Sequence, residues 1–568
     1  MSQLVADGNY LRELRQRSAD HTEVQGWKMA AEPRTGLFQF GYRRCADQDR
    51  HDPAGHPLII VGAGPVGLSA AIDLAQRGRN VVLLDDADRI GEGSRAICFS
   101  KRSLEYWDRL GVGERMVEKG IVWQVGKVFL GDELVYRFDL LPEGGHKMPA
   151  FINLQQYYAE KFLCERVAEL PQIDLRWCNK VIGLQPANDH VRLTIDTPEG
   201  PYALAAEYVI ACDGARSSLR GMIGADFVGE IFEDQFLIAD VRMNAEFPTE
   251  RWFWFDPPFH SGQSALLHKQ PDDVWRIDLQ LGPDADAEIE KRPENVRPRI
   301  ERMIGHGDFE FEWISVYKFQ CRRMQRFNHG RVIFAGDSAH QVSPFGARGA
   351  NSGLEDAENI AWKLDFVLAG RAPASLIDSY DIERIAAAED NIGHSTRSTD
   401  FIAPHSRHEQ RLRKAALRLA RTHDFAKRMV NAGRLSTPTA YDTPLSTLDA
   451  EEWRGGPKPG TSMLDAPLQD GSGRDFYLSE VFSASGRGFT LLDYANGRSA
   501  KCPPEVARVV IGNGAGNLRD RTGTFAARYD CAPGSAYLLR PDGYVTARFK
   551  QAQTAAVADA LRRACGWQ

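Results

Sequence analysis

The stretch Leu58-Ile-Ile-Val-Gly-Ala-Gly-Pro-Val-Gly-Leu-Ser-Ala-Ala-Ile-Asp-Leu-Ala-Gln-Arg-Gly-Arg-Asn-Val-Val-Leu-Leu-Asp85 decides the fold. Leu58 to Val61 is a short apolar run, the signature of a strand buried on both faces of a parallel sheet. From Val66 to Arg77 the apolar positions Val66, Ala70, Ala71, Leu74 and Ala75 recur at helical spacing, and Gly78 ends the helix. Val81 to Leu84 is a second buried strand, which ends on Asp85. A strand, a glycine-rich turn, a helix and a strand open a βαβ unit. In that setting Gly62 permits a tight turn, Gly64 lets a pyrophosphate approach the backbone, and Gly67 lets helix and strand pack closely. Free N–H groups at the helix start face the anion. Asp85 stands 23 residues after Gly62, where a carboxylate can accept ribose hydroxyls. The segment is read as a dinucleotide cradle, with Asp86 and Asp88 as solvated loop acids.

Working outward, the chain of 568 residues has room for three or four domains. With 43% hydrophobic and 26% charged residues it has the composition of a globular protein. A net charge of −7 argues against nucleic acid or an anionic membrane as the main partner. No apolar run reaches the roughly 20 residues that span a bilayer, and the N-terminus lacks a secretory h-region. The 9 cysteines are dispersed, without a CxxC pair. That argues against a disulfide framework, a zinc ribbon and a dithiol redox centre, so the expected compartment is the cytoplasm and no metal is expected.

Two further segments carry chemistry. Arg331-Val-Ile-Phe-Ala-Gly336-Asp337-Ser-Ala-His340 delivers a Gly-Asp pair to the end of a buried strand. It is followed by Pro344-Phe-Gly346 and Gly349-Ala-Asn351, which open a long amphipathic helix through Leu354, Ala357, Ala361, Leu364 and Leu368. Asp337 is placed to accept a bond from a polyol hydroxyl, and the helix start can stabilise negative charge on a ring lying against it. A strand, an Asx turn and a helix would explain the same residues without a ligand. Tyr208-Val-Ile-Ala-Cys-Asp213-Gly-Ala-Arg-Ser-Ser-Leu-Arg220 is a strand followed by a polar turn. Between them, residues from about 225 to 330 include period-two alternation, as in Trp275-Arg-Ile-Asp-Leu-Gln-Leu281. Such a sheet has one apolar and one polar face, the latter lining a cavity or meeting solvent.

The three segments, in this order, resemble the FAD-dependent aromatic hydroxylases, single-component flavoprotein monooxygenases. The resemblance covers residues 58 to 400 well and is nearest to the 3-(3-hydroxyphenyl)propionate and phenol hydroxylase types. It implies an α/β fold with a doubly wound, glutathione-reductase-like FAD domain at 58–224 and 331–400. Residues 225–330 would form an inserted mixed β-sheet that binds substrate. An extension at 1–57, a helical segment at 401–452 and a thioredoxin-like domain at 453–568 without redox cysteines complete the expected organisation. The two terminal parts are expected to assist stability or a homodimer.

By position, Gly62, Gly64, Gly67 and Asp85 would bind the FAD pyrophosphate and AMP ribose. Arg95 would approach the FAD phosphates, and Gln155, or Gln156 in the other register, the ribityl region. Asp213 would serve FAD and the transient docking of NADH or NADPH. Gly336 and Asp337 would bind the ribityl chain, and Pro344, Gly349 and Asn351 would line the flavin ring. The family's usual Gly-Gln-Gly is here Gly346-Ala-Arg348-Gly349, and Arg348 is expected to point to solvent. The resemblance implies that NAD(P)H reduces FAD, that O2 then forms a flavin hydroperoxide, and that this attacks a phenolic substrate such as a 3-hydroxyphenylpropionate-like acid. On the substrate side, His268 and Asp278 are the acid/base or hydrogen-bonding candidates, and Arg276 a flavin or carboxylate contact. Gln270 and Gln280 share their register, and a one-residue slip would turn the set to solvent. His340 is read as a loop-structuring residue. Trp252-Phe-Trp-Phe-Asp-Pro257 is similar to a motif of flavin-dependent halogenases but reads better as an aromatic strand. A non-catalytic escort protein of the same fold is the remaining alternative.

Overall fold

The computed structural model describes residues 38–91, 95–282, 284–404, 406–430, 435, 437–495, 502–512 and 517–567. The cradle stretch forms β1 (Ala54–Val61), α1 (Pro65–Gln76) and β2 (Val81–Leu84). β1 thus starts four residues before the apolar run, its first turns of backbone paired to the neighbouring strand from Ala54 on. The sheet grows by β3 (Ile173–Arg176) and β4 (Tyr202–Ala211). The chain then leaves it for β5 (Phe227–Arg242), β6 (Ser264–Lys269), β7 (Val274–Gln280) and β8 (Glu310–Met324). It returns as β9 (Val332–Phe334), followed by α2 (Gly349–Leu368) and α3 (Asp378–Ile402).

The first sheet runs β9-β4-β1-β2-β3, all parallel, with an antiparallel hairpin at 180–196 paired to β4. Side chains of β1 are almost wholly buried from Leu58 to Val61, as a parallel strand covered on both faces requires. The residues before β1 pack on this unit: Phe40 stacks on Trp177 at 4.5 Å and Arg176 grips Asp47.

The second sheet is antiparallel around β8-β5-β7-β6 and continues through Arg251–Phe255 to Val125–Leu130 and Glu133–Asp139. These last two strands lie within the 58–224 span yet join the inserted sheet, a pairing over more than a hundred residues that local pattern does not reveal. One face, with Leu237, Ala239, Val241, Ile277 and Leu279, is covered by Val296 and Ile300 of the helix Pro293–Ile304. The other carries the polar side chains and is also closed off from solvent. His268, Gln270, Arg276, Asp278 and Gln280 are all under 10% exposed. The solvated-face reading of these residues is thereby corrected.

The C-terminal unit has a four-stranded sheet, Val506–Ile511, Phe489–Tyr494, Ala536–Leu539 and Val545–Phe549, with one parallel and two antiparallel pairings. Its core is continuous with α2: Trp362 and Phe366 pack on Phe489, Leu491 and Leu538. Across this contact Glu383 of α3 holds Arg540 at 2.6 Å and Lys363 at 2.9 Å, all with side chains at most 2% exposed.

Candidate active site

The glycines of the cradle divide by what surrounds them. Gly62 has φ +105°, and a Cβ there would sit 2.3 Å from the Cys212 carbonyl oxygen. A Cβ on Gly67 would lie 1.9 Å from the Gly62 oxygen, so helix and turn touch only through glycine. At Gly64 nothing stands within 4 Å, which leaves open space above the helix N-terminus. Packing therefore explains Gly62 and Gly67, whereas the space beside Gly64 is open. Asp85 accepts from Ala63 N at 2.5 Å and Ala87 N at 2.9 Å, so it shapes the loop as well as presenting a carboxylate. Burial pushes its carboxyl up to about 6.

Two buried oxygens near this cleft have no partner in the chain, Oδ1 of Asp213 and Oε1 of Gln155. The other oxygen of Asp213 accepts from Leu219 N at 3.1 Å, and burial raises its carboxyl above the usual range. Gln155 donates to the Pro271 carbonyl at 3.2 Å. Gln156 instead accepts from Ala96 N at 3.0 Å and donates to Glu160 at 2.7 Å, which ties down the Arg95 loop. Arg95 is exposed, and its charge opposes the upward shift that burial imposes on Asp337 and Glu160. Asp337 sits deep in the fold while its side chain stays open to the cleft. An open glycine, unsatisfied acceptors and a carboxylate on a cleft are a donor-hungry set that fits a polyhydroxylated dinucleotide such as FAD.

Beneath the Gly-Asp turn, Asp356 accepts from Gly336 N at 2.9 Å, pairs with His340 at 2.6 Å and with Arg384 at 2.6 Å. The contacts with His340 and Arg384 hold the Asp356 carboxyl below its usual range against desolvation. His340 thus structures the loop, through a carboxylate that its sequence neighbourhood does not announce. Pro344 is exposed beside Phe345, which packs on Phe236 and Phe319. Gly349 begins α2. The side chain of Asn351 is spent within the chain, accepting from Ser100 N and the Ser103 hydroxyl and donating to the Cys98 and Ala347 carbonyls. It braces the loop, so only its backbone remains for a ring. Arg348 does not point to solvent: it donates to Asn391 of α3 at 2.9 Å.

The polar wall is built by β5, β6 and β7. Arg276 forms a two-pronged pair with Asp240, at 2.8 and 3.0 Å, and Gln270 donates to the same carboxylate at 3.0 Å. The carboxylate that Arg276 meets is thus the protein's own. Another Arg276 N–H reaches the Arg95 carbonyl at 3.4 Å, joining the wall to the cleft. His268 Nε2 lies 3.3 Å from Asp278 Oδ2, while both ring nitrogens of His268 and Oδ1 of Asp278 lack an aligned hydrogen-bond partner. Desolvation, aided by Arg251, lowers His268 from 6.5 to about 4, so its imidazole is neutral. Asp278 is held below its usual range, despite burial, by His268 and the charges of Arg276 and Arg251. Gln280 accepts from Ser264 N at 3.0 Å and serves the sheet.

Sequence reasoning missed Asp240, Arg251 and Cys98. Asp240 had a signal, a lone carboxylate in the alternating Phe236-Leu-Ile-Ala-Asp-Val241 run. Arg251 and Cys98 reach the wall through long-range pairing alone. Trp252 and Trp254 lie on the opposite face, packed with Phe129, Phe247 and Phe259. Their rings thus point away from the polar wall, on a strand of aromatic residues, against the halogenase reading. Among the described residues no cluster of metal-ligating side chains occurs and no helix is long and apolar enough to cross a membrane.

Residues 56–395 match the family model described as FAD binding domain. The chain is 29% identical over 530 residues to the 12-dehydrotetracycline 5-monooxygenase/anhydrotetracycline 6-monooxygenase of Streptomyces rimosus, covering 89% of this chain and 98% of that one. It is 25% identical over 521 residues to the 3-(3-hydroxy-phenyl)propionate/3-hydroxycinnamic acid hydroxylase of a Mycobacterium species, covering 86% and 89%. In fold it is similar to the flavin-dependent monooxygenase PieE, solved with FAD and substrate, at a TM-score of 0.77 and 23% identity over 91% of this chain and 100% of that one. The escort alternative falls with these relatives. The chain belongs to the FAD binding domain family and is an FAD-dependent aromatic monooxygenase.

Proposed function

We propose that the enzyme hydroxylates a phenolic ring, with NADH or NADPH and O2 as co-substrates, on the wall formed by His268, Asp278 and Arg276. One observation carries this reading: the His268–Asp278 pair is buried yet keeps open hydrogen-bonding capacity beside the cleft. Bound FAD supplies the hydride-accepting and oxygen-activating chemistry. The chain must hold the ring, exclude water and draw off the phenolic proton, because a phenolate is the better nucleophile. A neutral imidazole can accept that proton at Nδ1 while its Nε2–H donates to the Asp278 carboxylate. Arg276, clamped by Asp240, keeps the strand pair in register and braces Arg95. Gly62, Gly64, Gly67, Asp85, Arg95, Asp213, Gly336 and Asp337 would hold FAD, with Gln155 offering its free acceptor. Pro344 and the Gly349 and Asn351 backbone would meet the ring. The C-terminal unit fits a thioredoxin-like fold used as a clasp on α2 and α3, in a chain that works in the cytoplasm as a homodimer. Purified protein is tested with hydroxylated benzoates, phenylpropionates and simple phenols. The reading requires faster NAD(P)H oxidation with one of them and an oxygen atom from O2 in the product. A uniform background rate across the panel would refute it.

A further inference from the structure

Arg251 stands at the start of the strand Arg251–Phe255, next to β6. The register pairs Trp252 with Leu267 and Phe253 with Leu266, so Arg251 lies beside His268 on the polar face. It is 4% exposed. Burying a guanidinium is costly unless a partner compensates it, and arginine is a permanent cation. Among the described residues no carboxylate lies within ion-pair distance of it. Its polar contact is a 3.6 Å approach to Cys98 Sγ, and its Nε is buried without a partner. The rings of Trp123 and Phe253 lie 5.7 and 5.2 Å from it. Trp123 stacks on Phe151, and its own indole N–H is also buried and unpartnered. The other arginine of the wall, Arg276, is already neutralised by Asp240.

We infer that Arg251 is a positioning residue that anchors an oxyanion of the aromatic substrate, with Trp123 donating beside it and His268 next along the wall. The ligand class is a flat ring bearing a delocalised anionic oxygen, either a side-chain carboxylate or an ionised ring hydroxyl. Both match the planar fork of a guanidinium. This rests on the phenolic reading above, and it adds that selectivity for charge resides at one residue outside the His268–Asp278 pair.

The test uses the FAD-loaded enzyme and dissociation constants from perturbation of the flavin's visible spectrum. The probes are 3-(3-hydroxyphenyl)propionate, its neutral counterpart 3-ethylphenol, and 4-nitrophenol, whose phenolate is coloured. For a carboxylate anchor, R251M weakens the acid about thirtyfold or more and 3-ethylphenol less than about threefold, and R251K recovers part of the loss. KM for the acid rises more than kcat falls. For a ring-oxygen anchor, 4-nitrophenol is bound as the phenolate by the parent enzyme and as the phenol by R251M. If R251M loses its flavin through misfolding, R251K decides by the same comparison. Equal losses for acid and neutral ring, or no loss for either, with no change in bound nitrophenol, would overturn the inference alone. If no ring perturbs the flavin of the parent enzyme, the phenolic reading falls with it.

Discussion

His268 and Asp278 face each other diagonally across β6 and β7, with Nε2 and Oδ2 3.3 Å apart and Arg251 and Arg276 as the flanking cations. The pair is neutral imidazole beside carboxylate, a state set chiefly by desolvation of the ring.

That state has a pH signature. His268 is lowered from 6.5 to about 4, so the folded chain binds fewer protons there than the unfolded chain. The resulting stability is fully present above pH 6.5 and drains away as pH falls towards 4, in total about 3 kcal/mol. Asp278, lowered from 3.8, titrates below that window. The thermal midpoint of H268Q should therefore fall less steeply than that of the parent between pH 7 and 4.5. Identical slopes would mean the ring is not desolvated as described.

Gly64 and Gly67 separate ligand space from packing space. G64A should fold with an unchanged apo midpoint and lose FAD affinity about tenfold or more, read by fluorescence titration, since its methyl enters open space above the helix. G67A should lose folded protein outright, because its Cβ meets the Gly62 oxygen at 1.9 Å. Full flavin affinity in G64A would move the pyrophosphate elsewhere.

Glu383 carries the contact between the C-terminal unit and α2. Arg540 and Lys363 hold its carboxyl far below the usual range, and burial lowers Lys363 to about 8. E383Q leaves the buried Lys363 without its ion-pair partner and Arg540 with Asp542 alone, and should cost roughly 3–5 kcal/mol. It should lower the thermal midpoint and speed protease cleavage between residues 453 and 460. Unchanged cleavage would show that the shared apolar core suffices.

The cradle was legible in the sequence because its determinants are local. A run of four apolar residues, glycines at 62, 64 and 67 and an acid at 85 are all set by steric rules over short separations. The helices at 65–76 and 349–368 follow for the same reason. The wall was half legible: alternation put His268, Arg276 and Asp278 on one face but left open whether that face was wet. What meets it comes from elsewhere in the chain, Cys98 against Arg251, the Arg95 carbonyl against Arg276 and Gln155 against the Pro271 carbonyl, and those contacts leave no periodic trace. Arg251 was invisible for that reason, since Arg-Trp-Phe-Trp-Phe reads as an aromatic strand until its neighbour is known. The partner of His340, Asp356, lies one turn-rich loop and two helical turns away in sequence, beyond any motif spacing.

If the inner face of the inserted sheet is the substrate wall, product formed per NAD(P)H consumed measures it directly. D278N should retain its full flavin content while this ratio drops about tenfold to a hundredfold with the best phenol. W254F, altered on the opposite face, should match the parent. If D278N and H268Q both hydroxylate with parental yield and rate, the ring binds elsewhere and the assignment of the wall is wrong.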